Sequence, residues 1–183
     1  MEYCLHVKDI LSNSQCRLME EVMFYDKEEW GHGGTFAGPD LRVRHVRQKP
    51  FKEEDVDTIS KRILFNELSI LKNKLQDIYI DKVSPWYFGS ESTFNFLSYD
   101  GKVKGHYEYH TDHYKLEPRV LTMLIGVNSK DEWEGGKLLV GNDEEGIKLD
   151  KGECLMFPSN FMFPHKVAPV ESGNRKVLVI WTT

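Results

Sequence analysis

With 183 residues, 40% of them hydrophobic and 12% aromatic, the chain can bury one sizeable core and is too short for two domains of ordinary size. Its formal net charge of −5 argues against an electrostatically driven nucleic-acid binder, whose surface is normally basic. The three cysteines, Cys4, Cys16 and Cys154, are odd in number and show no C-x-x-C spacing, so they suggest neither a disulfide framework nor a zinc knuckle.

That cysteine usage fits a reducing compartment. The N-terminus, MEYCLHVKDI, lacks the basic-then-apolar pattern of a signal peptide, and no apolar run approaches membrane-spanning length. The expectation is a cytoplasmic protein with no membrane partner. Nothing in the sequence fixes an oligomeric state.

After an opening strand, Ser12 to Ser14 offer caps for a helix through the region from Leu18 to Phe24. LRVRHVR at 41–47 reads as a basic strand. Its arginines, Arg42, Arg44 and Arg47, either form a solvated face or meet an acidic substrate. From about Glu53 to Tyr79, Val56, Ile59, Ile63, Leu64, Leu68, Leu71, Leu75 and Ile78 recur with a helical period, which predicts a long helix covering the outside of a sheet.

From Phe94 the period switches to two. FNFLSY, HYEYHTD, RVLTMLIGV, GKLLV, GIKL, ECLMF and RKVLVIWT are short β-prone runs between Gly, Asp, Asn and Pro turns. So many closely spaced strands predict a sandwich or barrel. No linker divides the chain, so 1–183 reads as a single unit, with 1–93 as helical support and substrate-loop region and 94–183 as the core.

The H-x-D of GHYEYHTDHY carries the chemistry. On a strand, positions i and i+2 project from one face, so His110 and Asp112 can chelate one ion, and His165 of FMFPHKVAPV can complete the set from a neighbouring strand. Two imidazoles and a carboxylate on one triangular face form the ligand set of non-haem Fe(II) oxygenases. An isolated H-x-D is a weak signal, since most such pairs are locally bonded surface or core residues. His106 and His113 flank the ligand strand in the wrong register, and His6, His32 and His45 read as ordinary residues. Cys154, within a β-run, reads as a small core residue.

In RKVLVIWT, Arg175, Val177, Val179 and Trp181 share parity, so a guanidinium and an indole point inward if the valines do. A buried arginine needs an anion. A carboxylate matches it with two parallel hydrogen bonds. The alternative is a solvated arginine at a strand end.

Taken in order, Tyr99, G-x-Y-x-x-H-x-D (Gly105, Tyr107, His110, Asp112), R-x-x-T (Arg119, Thr122), WEGGKLLV at 133–140 and FPSNFMFPHKVAPVESGNR resemble the 2-oxoglutarate and Fe(II)-dependent dioxygenases of the prolyl 4-hydroxylase type. The PKHD-type hydroxylases are the nearest likeness. Upstream, Trp30, Gly33, Ala37 and Gly38 resemble the PKHD-type W-x-x-G-x-x-x-A-G loop.

The resemblance implies a mainly β fold with flanking helices, a double-stranded β-helix of the jelly-roll, cupin-like kind with N-terminal helices on one sheet. It implies Fe(II) on His110, Asp112 and His165 and 2-oxoglutarate as cosubstrate, with ascorbate as a possible reductant. Arg175, ten residues beyond His165, would pair with the distal carboxylate of 2-oxoglutarate. Tyr107, Thr122 and Tyr99 would offer hydroxyl groups, and Val167 and Trp181 apolar walls.

Two departures stand out. Some relatives carry a tyrosine where this chain has Gly126, and some carry a serine where it has Val177.

The implied reaction couples decarboxylation of 2-oxoglutarate, giving succinate and CO₂, to hydroxylation of a substrate C–H bond. Halogenases of this kind replace the carboxylate ligand with a small residue, so Asp112 favours hydroxylation. The leading substrate is a prolyl residue in a peptide or protein. The alternatives are free proline or another small amino acid, and, from a different class, a non-catalytic jelly-roll module holding a metal or ligand. Nucleic acid ranks below these.

Overall fold

The computed structural model describes residues 3–25, 30–35, 38–83, 85, 88–89, 92–113, 116 and 118–183. Ala37, part of the upstream likeness, lies outside them. Strand β1 (Leu5–Val7) leads into α1 (Asn13–Met19), which begins where Ser12 and Gln15 form a reciprocal capping box and continues as a π-helical turn over Glu20–Phe24. The caps expected at Ser12 to Ser14 are therefore present, and the helix starts earlier than Leu18.

LRVRHVR makes two short strands instead of one. After β2 (Gly31–His32), the chain forms β3 (Arg44–His45), breaks at Val46, and resumes as β4 (Arg47–Phe51). The pieces join different sheets, so Arg44 and Gln48 stand on two sides of one opening. The long helix, α2 (Ile59–Lys82), begins later than Glu53 because Thr58 caps it by accepting the Lys61 N–H. Its buried face is Leu64, Leu68, Leu71, Leu75 and Tyr79, while Ile59 and Ile63 face solvent.

The remaining strands are β5 (Ser92–Asp100), β6 (His106–His110), β7 (Leu121–Gly126), β8 (Trp133–Gly135), β9 (Leu138–Val140), β10 (Cys154–Pro158), β11 (His165–Val167) and β12 (Val170–Thr182). GIKL contributes only a bridge from Ile147 to Leu138. Among the described residues, the large sheet runs β1-β10-β7-β12-β5-β4-β2, with β8 on the end of β12, and the small sheet runs β3-β6-β11-β9. All pairings between these strands are antiparallel. Two antiparallel sheets face to face, with helices outside the larger, give the jelly roll that the sequence implied.

Strand alternation separates two cores. Phe94, Phe96, Met123, Ile125, Cys154, Met156, Leu178 and Ile180 turn outward to meet α1 and α2. Leu97, Tyr99, Leu124, Leu155, Phe157, Val177, Val179 and Trp181 turn inward to the small sheet. Burial on both faces explains why every residue of β7 is buried. Cys4, Cys16 and Cys154 form no disulfide, and burial pushes the Cys4 and Cys16 thiols up to about 11. No described helix is long and apolar enough to cross a membrane.

Candidate metal centre

His110 ends β6 and His165 opens β11, and the two are direct partners across the small sheet. Asp112 lies two residues past the end of its strand, where a bend returns its carboxylate between the imidazoles. His110 Nε2 stands 3.6 Å from Asp112 Oδ1, and His165 Nε2 stands 3.4 Å from Asp112 Oδ2. One ligand atom from each residue lies within 4.8 Å of the others, so a single ion can meet all three.

The tautomers are set by the backbone. His110 Nδ1 donates to the Glu108 carbonyl (2.8 Å) and His165 Nδ1 to the Phe163 carbonyl (3.1 Å), which leaves each Nε2 lone pair pointing at Asp112. Tyr107 stacks on His110 at 3.5 Å between ring centroids, and Phe157 meets the His165 ring edge-on at 4.8 Å. Both imidazoles are thus held from the side as well as from behind.

Electrostatics keep the ligands ready for a cation. Burial, reinforced by neighbouring His165, pushes His110 down to about 3, so the ring is neutral. Burial opposes ionisation of Asp112, but the two histidines and the Thr122 hydroxyl outweigh it and hold the carboxylate below its usual range. The Trp181 indole N–H faces the same carboxylate without closing a well-aligned hydrogen bond.

Both groups bind fewer protons folded than unfolded. The metal-free protein should therefore lose stability as pH falls below about 6.5, the ordinary histidine value, towards about 3. Thermal melts of metal-free protein at stepped pH should show the loss, and His110→Gln should flatten it.

Thr122, for which the resemblance implied a hydroxyl offered to the cosubstrate, meets Asp112 in the structure. Its hydroxyl donates to Asp112 Oδ2 at 2.7 Å, lies 2.8 Å from the Ser159 hydroxyl, and is fully buried away from the cavity. It orients the carboxylate. Thr122→Val should weaken metal affinity about 10–100-fold, the usual scale for partners of a ligand, as read by titration calorimetry. Ser159 carried no sequence signal.

Above the triad opens a cavity of about 730 Å³. Tyr99, Tyr107, Leu124, Leu138, Val167 and Trp181 form much of its wall. Behind the Tyr99 wall lies Arg175, 1% exposed, with its guanidinium carbon 5.0 Å over the Tyr99 ring; the Tyr99 hydroxyl faces it without closing a well-aligned hydrogen bond, and none of its three side-chain nitrogens has a partner. Burial depresses its pKa and lifts those of Tyr99 and Tyr107, so both phenols stay protonated. Arg119 stacks on Trp181 at 3.8 Å. At Gly126 any Cβ would collide with the Asp150 carbonyl, so no side chain fits at that position.

Residues 94–183 match the 2OG-Fe(II) oxygenase superfamily. A PKHD-type hydroxylase of Psychrobacter sp. (strain PRwf-1) is 31% identical over 189 residues, covering 97% of this chain and 68% of the relative. The chain belongs to the 2OG-Fe(II) oxygenase superfamily. Another PKHD-type hydroxylase, from Prochlorococcus marinus (strain NATL2A), is 28% identical over 99% of this chain and 77% of its own length. Among solved structures, a prolyl hydroxylase from Trichoplax adhaerens, in complex with a hypoxia inducible factor oxygen degradation domain peptide fragment, superposes with a TM-score of 0.79. It is 18% identical, over 100% of this chain and 84% of that one.

The oxygenase is an oxidoreductase that uses Fe(II) and 2-oxoglutarate. The residues fit both groups: two imidazoles and an ionised carboxylate have the donors for Fe(II), and a guanidinium without a partner behind the cavity wall at Tyr99 has the donors for a carboxylate.

Proposed function

We propose that this oxygenase hydroxylates a prolyl residue in a peptide or protein, with succinate and CO₂ as coproducts. In this reading His110, Asp112 and His165 hold Fe(II), and Arg175 takes the distal carboxylate of 2-oxoglutarate. Tyr99 and Tyr107 offer phenolic hydrogens along the cosubstrate, and Val167 and Trp181 form apolar walls. The metal and the keto acid together supply the oxidising chemistry. The chain's own residues position them and line a cavity that limits water around them.

The observation that carries this is the Arg175 guanidinium, buried without a hydrogen-bond partner behind Tyr99, whose ring lines the cavity above the triad. A charge left so deep without a partner is strongly unfavourable, and a dicarboxylate reaching from the metal would relieve it. A structural metal site would leave Arg175 without a role. The prolyl assignment draws on the prolyl hydroxylase likeness and on cavity size. At about 730 Å³ the space suits a drug-sized guest, so a five-carbon diacid leaves room for a substrate residue.

Mass spectrometry after incubation with Fe(II), 2-oxoglutarate and prolyl peptides tests the reading. A gain of one oxygen on proline, matched by succinate, is the expected result. Oxygen on free proline alone would move the substrate to the small amino acids, and 2-oxoglutarate turnover without product on either would remove the prolyl reading.

A further inference from the structure

The basic segment of residues 41–47 resolves into three different arginines. Arg42 is exposed and clasped by Asp40, with contacts of 2.9 and 3.1 Å, and Arg47 is exposed. Arg44 is 9% exposed and lines the cavity. Its guanidinium carbon lies 4.5 Å over the Tyr107 ring, Nη1 donates to the Gly34 carbonyl at 2.6 Å, and Nη2 donates to Gln48 Oε1 at 3.1 Å.

Every one of those partners is neutral. They fix the direction of the guanidinium, yet no carboxylate among the described residues pairs with it. The neighbouring loop is shaped around the group: a Cβ at Gly33 would fall 2.5 Å from Arg44 Nε and 2.7 Å from Val46 Cγ1, so only glycine lets the arginine lie there undisturbed. Gln48 and Asn95, on adjacent strands of the large sheet, add side-chain amides to the same wall.

Charge counting points to an occupant. With the cavity loaded as proposed above, the two charges of Fe(II) are met by Asp112 and one carboxylate of 2-oxoglutarate, and the other carboxylate meets Arg175. Arg44 is left over. A largely desolvated cation beside a substrate cavity favours an anionic guest, and a guanidinium suits a carboxylate.

We propose that Arg44 is the specificity-determining residue of this oxygenase, receiving a carboxylate carried by the substrate close to the carbon that is oxidised. That carboxylate is either the side chain of a neighbouring acidic residue or a terminal carboxylate. The inference rests on the hydroxylase reading and narrows its substrate class to acidic partners.

Peptide pairs that differ only in charge provide the test. One pair places glutamate or glutamine after proline with both ends blocked. A second compares a free with an amidated C-terminus on a neutral prolyl sequence, and both pairs are repeated with alanine in place of proline. Binding is measured by titration calorimetry on protein loaded anaerobically with Fe(II) and 2-oxoglutarate, so no turnover is needed.

The charged member of at least one pair should bind about tenfold more tightly, the scale of a hydrogen bond to an ionised group. The preference should disappear in Arg44→Gln. It should also disappear in Gly33→Ala, which keeps the charge and displaces it, with circular dichroism to verify folding. A response in the glutamate pair assigns a neighbouring acidic residue, and a response in the terminal pair assigns a C-terminal or free amino-acid carboxylate.

Equal binding or no binding of charged and neutral peptides by the unaltered protein would overturn the proposal, as would a preference that survives Arg44→Gln. If the preference appears on both scaffolds while no prolyl peptide gains oxygen under air, Arg44 keeps its role and only the prolyl assignment falls.

Discussion

Asp112→Ala should abolish succinate formation and leave the fold in place. Asp112 is the only carboxylate in the triad and is 6% exposed, so no described acid can take its position without moving the bend that follows β6. Without it, two imidazoles remain, with no anion to offset the charge of the metal. Iron affinity should fall by at least the 10–100-fold that loss of a mere supporting partner causes. Stability should fall only in part. The alanine loses the attraction by which the two histidines and the Thr122 hydroxyl hold the carboxylate ionised against burial, so the variant melts lower, while the Thr122 hydroxyl keeps Ser159 as a partner. Calorimetric iron titration, succinate assay and thermal melting separate these effects. A variant that melts normally and still turns over at a rate near that of the unaltered chain would show that Asp112 does not hold the metal.

Residues whose placement depends on strand parity or short spacing were legible in the sequence. Val177, Val179 and Trp181 share the inner face of β12, Arg175 is buried with the same parity, and His110 stands opposite His165 on the neighbouring strand. What was not legible depended on contacts between distant segments. Thr122 has inward parity like a cosubstrate contact, but only the approach of Asp112 and Ser159 decides which oxygen its hydroxyl meets. Ile59 and Ile63 fit the helical period, yet the face that packs on the sheet is centred on Leu64 and Leu68.

LRVRHVR alternates like one strand, but Val46 breaks it where the chain passes from the small sheet to the large one. That break buries Arg44 and leaves Arg42 and Arg47 outside, a distinction invisible in three arginines of one basic run. Asn95 did leave a trace. A polar residue between Phe94 and Phe96 has the parity of Leu97 and Tyr99 and therefore faces the cavity.

Arg175 allows a prediction whose two halves have opposite sign. Removing one partner of a buried, hydrogen-bonded charge pair costs about 2–5 kcal/mol of binding, so Arg175→Met should weaken 2-oxoglutarate binding by on the order of a hundredfold or more. The ligand-free protein should respond the other way. Arg175 Nε, Nη1 and Nη2 lie buried with no hydrogen-bond partner, and burial already depresses the guanidinium pKa, so the empty site carries an unfavourable charge. Methionine follows much of the same path through the core without that charge and makes favourable contacts with the Tyr99 and Trp133 rings, over which the guanidinium now lies at 5.0 and 5.7 Å. The ligand-free variant should melt higher, by about 2–4 °C for each kcal/mol relieved. An arginine needed only for packing would give the reverse pattern, a lower melting temperature with 2-oxoglutarate affinity retained. The two thermograms, with and without the cosubstrate, therefore decide between an anchor held under strain for its ligand and a core residue that happens to be charged.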